Sequence, residues 1–362
     1  MRLFLRLIAI VIAVVVAAVL FFSRERWSDS SPPAPEPVAA APAVDPAVEL
    51  PALLAVGTTT PVPPAGPLPP LDAPLAQVAE ELERRAAAGE PGAACRLAYE
   101  LSACRWSSGD HETHVRWLRR KTQELDRLEA QKNSAAITRF RSEFDRDLAR
   151  REQRLAERNE RCAGYTELDP GVMAQRWYQA ARLGSLSARR IWAGGDALPP
   201  DGLLASTGEL ALYRATATDM AWQLVREGDL PTTLRVAHAL AGLHSSRYGL
   251  LAQALPEDRA MALALYRRAH LALDGNDSRG AGALRKQIAE ELDLLGELST
   301  ADQRAEAERR ALEFADWSPV EASDRWLPRM ASGHGFPIGA HVCHREAGET
   351  VPELEQAESQ AR

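Results

Sequence analysis

Four cysteines, Cys95, Cys104, Cys162 and Cys343, are the residues best suited to covalent chemistry in this chain. Outside the cytoplasm an even number of cysteines indicates disulfide bonds, here with three possible pairings. If Cys95 and Cys104 share one straight helix, their spacing places them roughly 13.5 Å apart, which is beyond bridging distance. The spacing then leaves two pairings. We favour Cys104 with Cys162, because these two cysteines stand at the two ends of an inserted segment over 111–161, and Cys95 with Cys343. A break in the helix would permit a Cys95–Cys104 bond instead. In the cytoplasm, free thiols are expected instead.

A second group of reactive residue types lies near the C-terminus and comprises His334, His341, Cys343 and His344. Structural zinc sites use three or four ligands in recurring short spacings, and this spacing matches none of them. We therefore expect no metal ion and no cofactor here. The prediction is a tail that packs on the folded domain or is tied to it by a disulfide.

Motifs for catalysis are missing from the sequence, which has no Gly-rich phosphate loop, no G-x-S-x-G elbow, no H-E-x-x-H and no kinase or dinucleotide signature. His238 is predicted to be an ordinary helix residue. Helical enzymes that cleave glycans use a single glutamate, so Glu100 and Glu209 remain open, although nothing near them indicates a sugar cleft. The prediction is a protein without catalytic residues, and an enzyme acting on cell-wall peptidoglycan is the alternative.

The elements that carry these residues are predicted to be helical, so the fold class is all-α. Alanine, leucine, arginine and glutamate dominate the sequence and are good helix formers, whereas strand and hairpin signals are scarce. Residues 171–194 predict two helices and a turn. Gly184 ends the first helix, because glycine tolerates the left-handed conformation found there, and Ser185 or Ser187 caps the second.

This helix-turn-helix pattern recurs along the chain. The pattern in 171–194 consists of Trp177, Ala181, Gly184, Ala188 and Trp192. The same offsets are occupied upstream by Leu82, Ala86, Gly89, Ala93 and Leu97, and downstream by Ala221, Val225, Gly228, Thr232 and Val236. A looser copy in 260–275 has Tyr266 and Ala269 in the matching places. The phrase W-Y-x-A-A-x-x-G-x-x-x-A, which includes Tyr178, resembles the Sel-one-like branch of the tetratricopeptide superfamily. The resemblance covers units near 75–104, 171–195, 211–242 and 260–295.

The resemblance implies a repeat array that binds a protein or peptide. The glycine-to-glycine steps of 44 and 47 residues exceed the period of about 34 expected of such repeats, so the predicted array is irregular. An ordinary helical bundle whose alanine-rich helices align by chance is the alternative.

Residues 111–161 interrupt the repeats with a polar stretch that carries a thin apolar seam. The two halves of the seam are out of phase across Asn133, which predicts either a hairpin of two long helices or one helix with a phase shift. Removing these 51 residues from the 95-residue step between Gly89 and Gly184 leaves 44, the next glycine step. The segment is therefore predicted to be an insertion. It forms either a coiled coil that binds a partner or self-associates, or a hairpin packed on its own domain.

The N-terminal residues 1–27 predict an uncleaved transmembrane signal anchor. The apolar run is long enough, with its flanks, to reach the roughly 20 residues that span a bilayer, and no small-x-small cleavage site follows it. A cleaved signal peptide is the alternative. Residues 28–71 are rich in proline and alanine and predict a disordered linker; the helical repeat domain follows over 72–316, and 317–362 form an irregular tail.

Together these patterns predict a single-pass protein of the inner (cytoplasmic) membrane whose C-terminal domain lies in the periplasm. Charged residues make up 26% of the chain and hydrophobic residues 46%, which indicates a folded protein, and the net charge of −7 gives no nucleic-acid footprint. The predicted function is a helical-repeat scaffold that binds a protein or peptide partner without catalysis. A self-associating structural protein of the envelope is a further alternative.

Overall fold

The computed structural model describes residues 66–165, 168–243, 249–276, 278–314, 342–344 and 347, without the side chains of 106–110. Within these ranges the chain is all-α and contains no strand. Its eleven α-helices are α1 (Leu75–Ala87), α2 (Pro91–Ala130), α3 (Ser134–Arg161), α4 (Pro170–Arg182), α5 (Leu186–Gly194), α6 (Thr207–Arg226), α7 (Leu230–Leu240), α8 (Leu250–Ala254), α9 (Arg259–Ala272), α10 (Arg279–Leu298) and α11 (Ala301–Ala311). Two short 3-10 turns cover Pro200–Gly202 and Leu312–Phe314.

None of the helices in the described ranges is both long enough and apolar enough to cross a bilayer. The predicted anchor, residues 1–27, lies outside these ranges, as does most of the predicted linker, residues 28–71. The predicted tail, 317–362, is described only at 342–344 and 347.

Three pairs of consecutive helices are joined by the same three-residue connection, in which a glycine stands between a C-cap and an N-cap residue. The glycines are Gly89, Gly184 and Gly228, with φ of +96°, +98° and +86°. At the second connection the N–H of Gly184 donates to the Ala181 carbonyl and the N–H of Ser185 to the Ala180 carbonyl, both at 3.1 Å. This hydrogen-bond pattern ends a helix with a left-handed residue, for which glycine is favoured.

The longest helices, α2 and α3, form a hairpin. The chain reverses at residues 131–133, where Asn133 caps α3 by accepting a hydrogen bond from the Ala136 N–H at 3.1 Å. The hairpin is thus one of the two forms that the sequence left open. We call residues 105–161 the arm. Helix α3 has 28 residues, about 42 Å at 1.5 Å per residue; it packs mainly on α2, and none of its residues is fully buried.

The start of the arm differs from the sequence-based bounds. The predicted helix over 92–104 and the predicted insertion over 111–161 share one uninterrupted helix, α2, so the insertion has no boundary at 111. The intervening residues contain one glycine, Gly109, and no proline. A glycine inside a helix costs only about 1 kcal/mol relative to alanine, which the long helical segments on either side outweigh.

The buried apolar side chains form three clusters along the described chain. One lies between α1 and the first turns of α2, one joins α2 to α4, α5 and α6, and the third extends from α6 to α11. In the middle cluster Trp192 contacts Tyr178 and Tyr213, with ring centroids 4.7 and 5.8 Å apart. The apolar residues predicted for helix packing are all buried, namely Leu82, Ala93, Trp177, Tyr178, Ala181, Ala188, Trp192, Tyr266 and Ala269.

Candidate functional site

Two disulfide bonds join helix α2 to other parts of the chain. One joins Cys104 to Cys162, with Cα atoms 5.2 Å apart, and the other joins Cys95 to Cys343, with Cα atoms 5.5 Å apart. Cys95 and Cys104 share the uninterrupted helix α2, so the pairing is the one favoured from the sequence. The first bond closes the arm at its base, and the second ties residues 342–344 to the first turns of α2.

A buried ion network occupies the same region. The Glu100 carboxylate accepts a hydrogen bond from Nε of Arg96 at 2.6 Å and from Nε of Arg161, the last residue of α3, at 3.0 Å. Glu100 and Arg96 are each only 1% exposed. Arg96 also lies 2.6 Å from Nε2 of His344 and donates to two backbone carbonyls before α1, at 3.3 and 3.2 Å. Because a guanidinium only donates, Nε2 of His344 is the acceptor in this contact.

Burial and neighbouring charges shift the pKa values of Arg96 and Tyr99 in this network. Burial lowers the pKa of Arg96, the Glu100 carboxylate partly offsets this, and the positive charge of Arg161 reinforces it. Burial raises the pKa of the neighbouring Tyr99, and Glu100 adds to that rise. The carboxylate therefore holds two cations that would otherwise repel each other, and it fastens the end of α3 to α2.

The tail residues lie directly on the first turn of α2. A Cβ atom at Gly92 would come within 2.9 Å of the Ala347 Cβ and 3.2 Å of the Cys343 carbonyl oxygen. The close approach is possible because glycine has no Cβ atom, since ordinary Cβ contacts are longer than these distances. The disulfide, the Arg96–His344 contact and this close approach together hold the described part of the tail on α2.

The surface of the arm is mostly charged, and its aromatic side chains stack between the two helices. Trp117, which is buried, stacks on Phe144 with ring centroids 5.5 Å apart, and Phe144 stacks on Phe140 at 6.1 Å. Residues 111–161 contain fourteen Arg or Lys and ten Asp or Glu, a net charge of +4, against −7 for the whole chain. The arm is thus a basic element on an acidic protein.

The residues considered for catalysis from the sequence have structural contacts in the described chain. Glu100 is enclosed by two arginines and is 1% exposed. Glu209, on α6, accepts a hydrogen bond from the Gln175 side chain of α4 at 2.6 Å. His238 is half-buried on α7.

The structure describes two of the four residues in the histidine and cysteine group of the tail, Cys343 and His344. Cys343 is in a disulfide and His344 contacts Arg96, while His334 and His341 lie outside the described residues. Among the residues that the structure describes, no three or more His, Cys, Asp or Glu side chains are grouped in a way that could hold a metal ion.

The ion network was not foreseen from the sequence. Its only sequence signal is the four-residue spacing of Arg96 and Glu100, which is common for exposed ion pairs on helices. The local sequence does not indicate that the pair is buried. It also does not indicate that Arg161, 61 residues after Glu100, and His344, 248 residues after Arg96, contact the pair.

Comparisons of the chain with models of known families, with curated proteins and with solved structures found no match. What the protein does is therefore inferred from its own residues.

Proposed function

We propose that this protein is a non-catalytic helical scaffold, held at the inner membrane by its N-terminal segment with the folded domain in the periplasm, and that its arm binds a protein or peptide partner. The observation that carries the proposal is the arm itself, which extends about 42 Å along α3 and is fixed at its base by a disulfide and a buried carboxylate. An element that is long, stiff and anchored only at one end is suited to reach a partner.

The two disulfides support the location. Disulfide bonds persist in oxidising compartments such as the periplasm and are rare in the cytoplasm. Both bonds are buried, with each cysteine at most 1% exposed. An anchor over residues 1–27 followed by a linker would place the domain in such a compartment.

The helical pairs α1/α2, α4/α5 and α6/α7 support the proposal of an irregular helix-turn-helix array of the Sel-one-like or tetratricopeptide type. Neighbouring pairs are linked by side chains: the Trp177 indole donates to the Ser102 hydroxyl at 2.8 Å, and Arg189 pairs with Glu227 at 2.7 Å. Arrays of this kind offer extended surfaces for proteins and peptides. The chain would then present a partner surface on both array and arm.

A partner of a different sequence is favoured over self-association through the arm. Coiled-coil association needs an unfilled apolar seam, whereas Trp117, Phe140 and Phe144 stack within the arm. The exposed faces are mostly charged and carry a net positive charge, which suits an acidic surface.

The test is photo-crosslinking of the full-length protein in its own cells. A benzophenone amino acid replaces Gln123, which is exposed on the arm; in a matched control it replaces Leu204, which is 95% exposed on the domain. We expect an adduct of one defined mass from Gln123 and none of that mass from Leu204. An adduct of twice the chain mass would contradict the proposal in favour of self-association, and the absence of any adduct would also contradict it.

An armless variant checks that the arm is required. The Cα atoms of Cys104 and Cys162 lie 5.2 Å apart, so a short Gly/Ser turn can replace residues 105–160 and keep Arg161 as a partner of Glu100. The variant should keep both disulfides and lose the crosslinked protein in co-purification. If the armless protein retains that protein at the wild-type level, the arm is not the binding element.

A further inference from the structure

The turn at the free end of the arm holds the only non-glycine residue with a positive φ in the described ranges. This residue is Lys132, between α2 and α3, with a φ of +53°. Its N–H donates to the Glu129 carbonyl at 2.9 Å, and the N–H of Asn133 donates to the Leu128 carbonyl at 3.4 Å. The two bonds end α2 with a residue in the left-handed conformation, which is unfavourable for a residue with a Cβ atom.

The same pair of hydrogen bonds ends four other helices, and in each of them the left-handed residue is a glycine. The helices are α1, α4, α5 and α6, and their glycines are Gly89, Gly184, Gly195 and Gly228. Glycine adopts this conformation without strain. At the end of the arm a lysine thus stands where the backbone alone favours glycine, and backbone strain of this kind is concentrated at functional positions.

Lysine is a rare residue in this chain, with three lysines among 43 Lys or Arg residues. Two of the three pair with a glutamate of their own helix: Lys121 with Glu124 at 2.8 Å, and Lys286 with Glu290 at 3.8 Å. Lys132 is exposed, and no acidic side chain of the described ranges pairs with it.

The carboxylates nearest to Lys132 along the chain do not neutralise it. Glu129, three residues earlier, pairs with Arg141 at 2.8 Å instead. The first turn of α3, which follows Lys132, contains no acidic residue. Within the described arm, the Lys132 ammonium group is therefore left to interact with a group from outside the arm.

We infer that the free end of the arm contacts the partner, and that the Lys132 ammonium group pairs with a carboxylate on an acidic surface of that partner. An ammonium group and a carboxylate form short charge-assisted hydrogen bonds. Such a contact explains why a lysine stands at a position that costs backbone strain. The inference rests on the proposed function and deepens it, because it names the contact residue and the chemistry of the partner surface.

The first experiment joins the amine to the carboxylate that it contacts. Membranes from the protein's own cells are treated with a water-soluble carbodiimide, which forms an amide between a lysine amine and an adjacent carboxylate. Because the chain has only three lysines, mass spectrometry of the linked peptides identifies the lysine. We expect Lys132 to be joined to an Asp or Glu of the protein that is captured from position 123. The absence of any link at Lys132, or a link to a carboxylate of this chain or of a second copy, would overturn the inference.

Two variants then separate binding from folding. K132Q removes the charge and keeps the backbone strain, whereas K132G removes both. The captured protein is purified and titrated against the full-length chain in detergent, and each variant should bind it about tenfold or more weakly than the wild type does. K132G should nevertheless unfold at the same or a higher urea concentration than the wild type, because glycine is unstrained at this position.

The matched control is K286Q, which removes the charge of a lysine outside the arm whose side chain is 81% exposed. It should bind the captured protein within about twofold of the wild type. A loss as large as that of K132Q would overturn the inference, because the affinity would then follow the total charge of the chain.

The variants also distinguish a failure of this inference from a failure of the proposed function. If position 123 captures a protein that K132Q and K132G bind within about twofold of the wild type, the free end of the arm is not the contact. The proposed function then stands and the inference fails. If position 123 captures nothing and Lys132 is joined to nothing, both fail.

Discussion

The buried carboxylate of Glu100 is expected to be one of the most sensitive positions in the protein. In the Glu100→Gln variant the side chain keeps its size but loses the charge that holds Arg96 and Arg161. Arg96 is 1% exposed and cannot turn to solvent, so it would remain a buried cation without a counter-ion.

The size of the effect follows from this burial. Removing one partner of a buried ion pair costs about 3–5 kcal/mol, because the remaining charge is desolvated without compensation. For a domain of this size, each kcal/mol lowers the melting temperature by roughly 2–4 °C. We therefore expect Glu100→Gln to lower the Tm by on the order of 10 °C.

Glu129→Gln is the matched control, since Glu129 also lies on α2 and also pairs with an arginine of α3. Its pair with Arg141 has an N–O distance of 2.8 Å, but the two side chains are 46% and 59% exposed. Exposed pairs contribute roughly 0–1 kcal/mol, so this variant should melt within a few degrees of the wild type.

The assay is thermal and urea unfolding of the oxidised full-length protein in detergent, followed by far-UV circular dichroism. A Glu100→Gln variant that unfolds at the same urea concentration as Glu129→Gln would refute the reasoning, because it would mean that the Arg96–Glu100–Arg161 network is solvated. The double variant Arg96→Met/Glu100→Leu should lower the Tm less than Glu100→Gln does if an uncompensated buried charge is the cause.

Four further variants test other parts of the structure, each by urea unfolding. Ser102→Ala removes the acceptor of a buried tryptophan N–H at 2.8 Å and should cost about 1–3 kcal/mol; an unchanged midpoint would mean that this hydrogen bond is not formed. Gly184→Ala should lower the free energy of unfolding by about 1–2 kcal/mol, because the φ of Gly184 is +98°. Gly208→Ala should raise the free energy of unfolding by up to about 1 kcal/mol, since a Cβ there meets no atom within 4 Å. The opposite order of the two variants would contradict the assigned helix ends. C104S/C162S should lower the free energy of unfolding by about 4 kcal/mol, because the bond spans 58 residues; a loss as small as that of an exposed ion pair would argue against a bond at the base of the arm.

Local features of the fold were predictable because their causes are local. The turn at Gly184 follows from a glycine after a helical stretch and a serine that caps the next one, and the structure has Ser185, not Ser187, as the cap. The phase change of the apolar seam at Asn133 predicted either a hairpin or one phase-shifted helix, and the structure has the hairpin. The rise of a helix between Cys95 and Cys104 argues against a bond between them, and the position of Cys104 and Cys162 at the two ends of the insertion favours the pairing that the structure has.

The rest depends on contacts between residues far apart in the sequence. Whether Arg96 and Glu100 are exposed or buried is decided by the end of α3 and by the tail, neither of which is visible in their local spacing. Helix α2 continues through the start of the arm although the residue composition changes there.

The most direct test of the account is the state of the four cysteines in the protein taken from the membrane fraction of its own cells. Free thiols are blocked at lysis, and proteolytic peptides are mapped with and without reduction. The account predicts peptides linked through Cys104–Cys162 and Cys95–Cys343 in the unreduced sample. Four blocked thiols would contradict both the clamped base of the arm and the proposed location of the domain outside the cytoplasm.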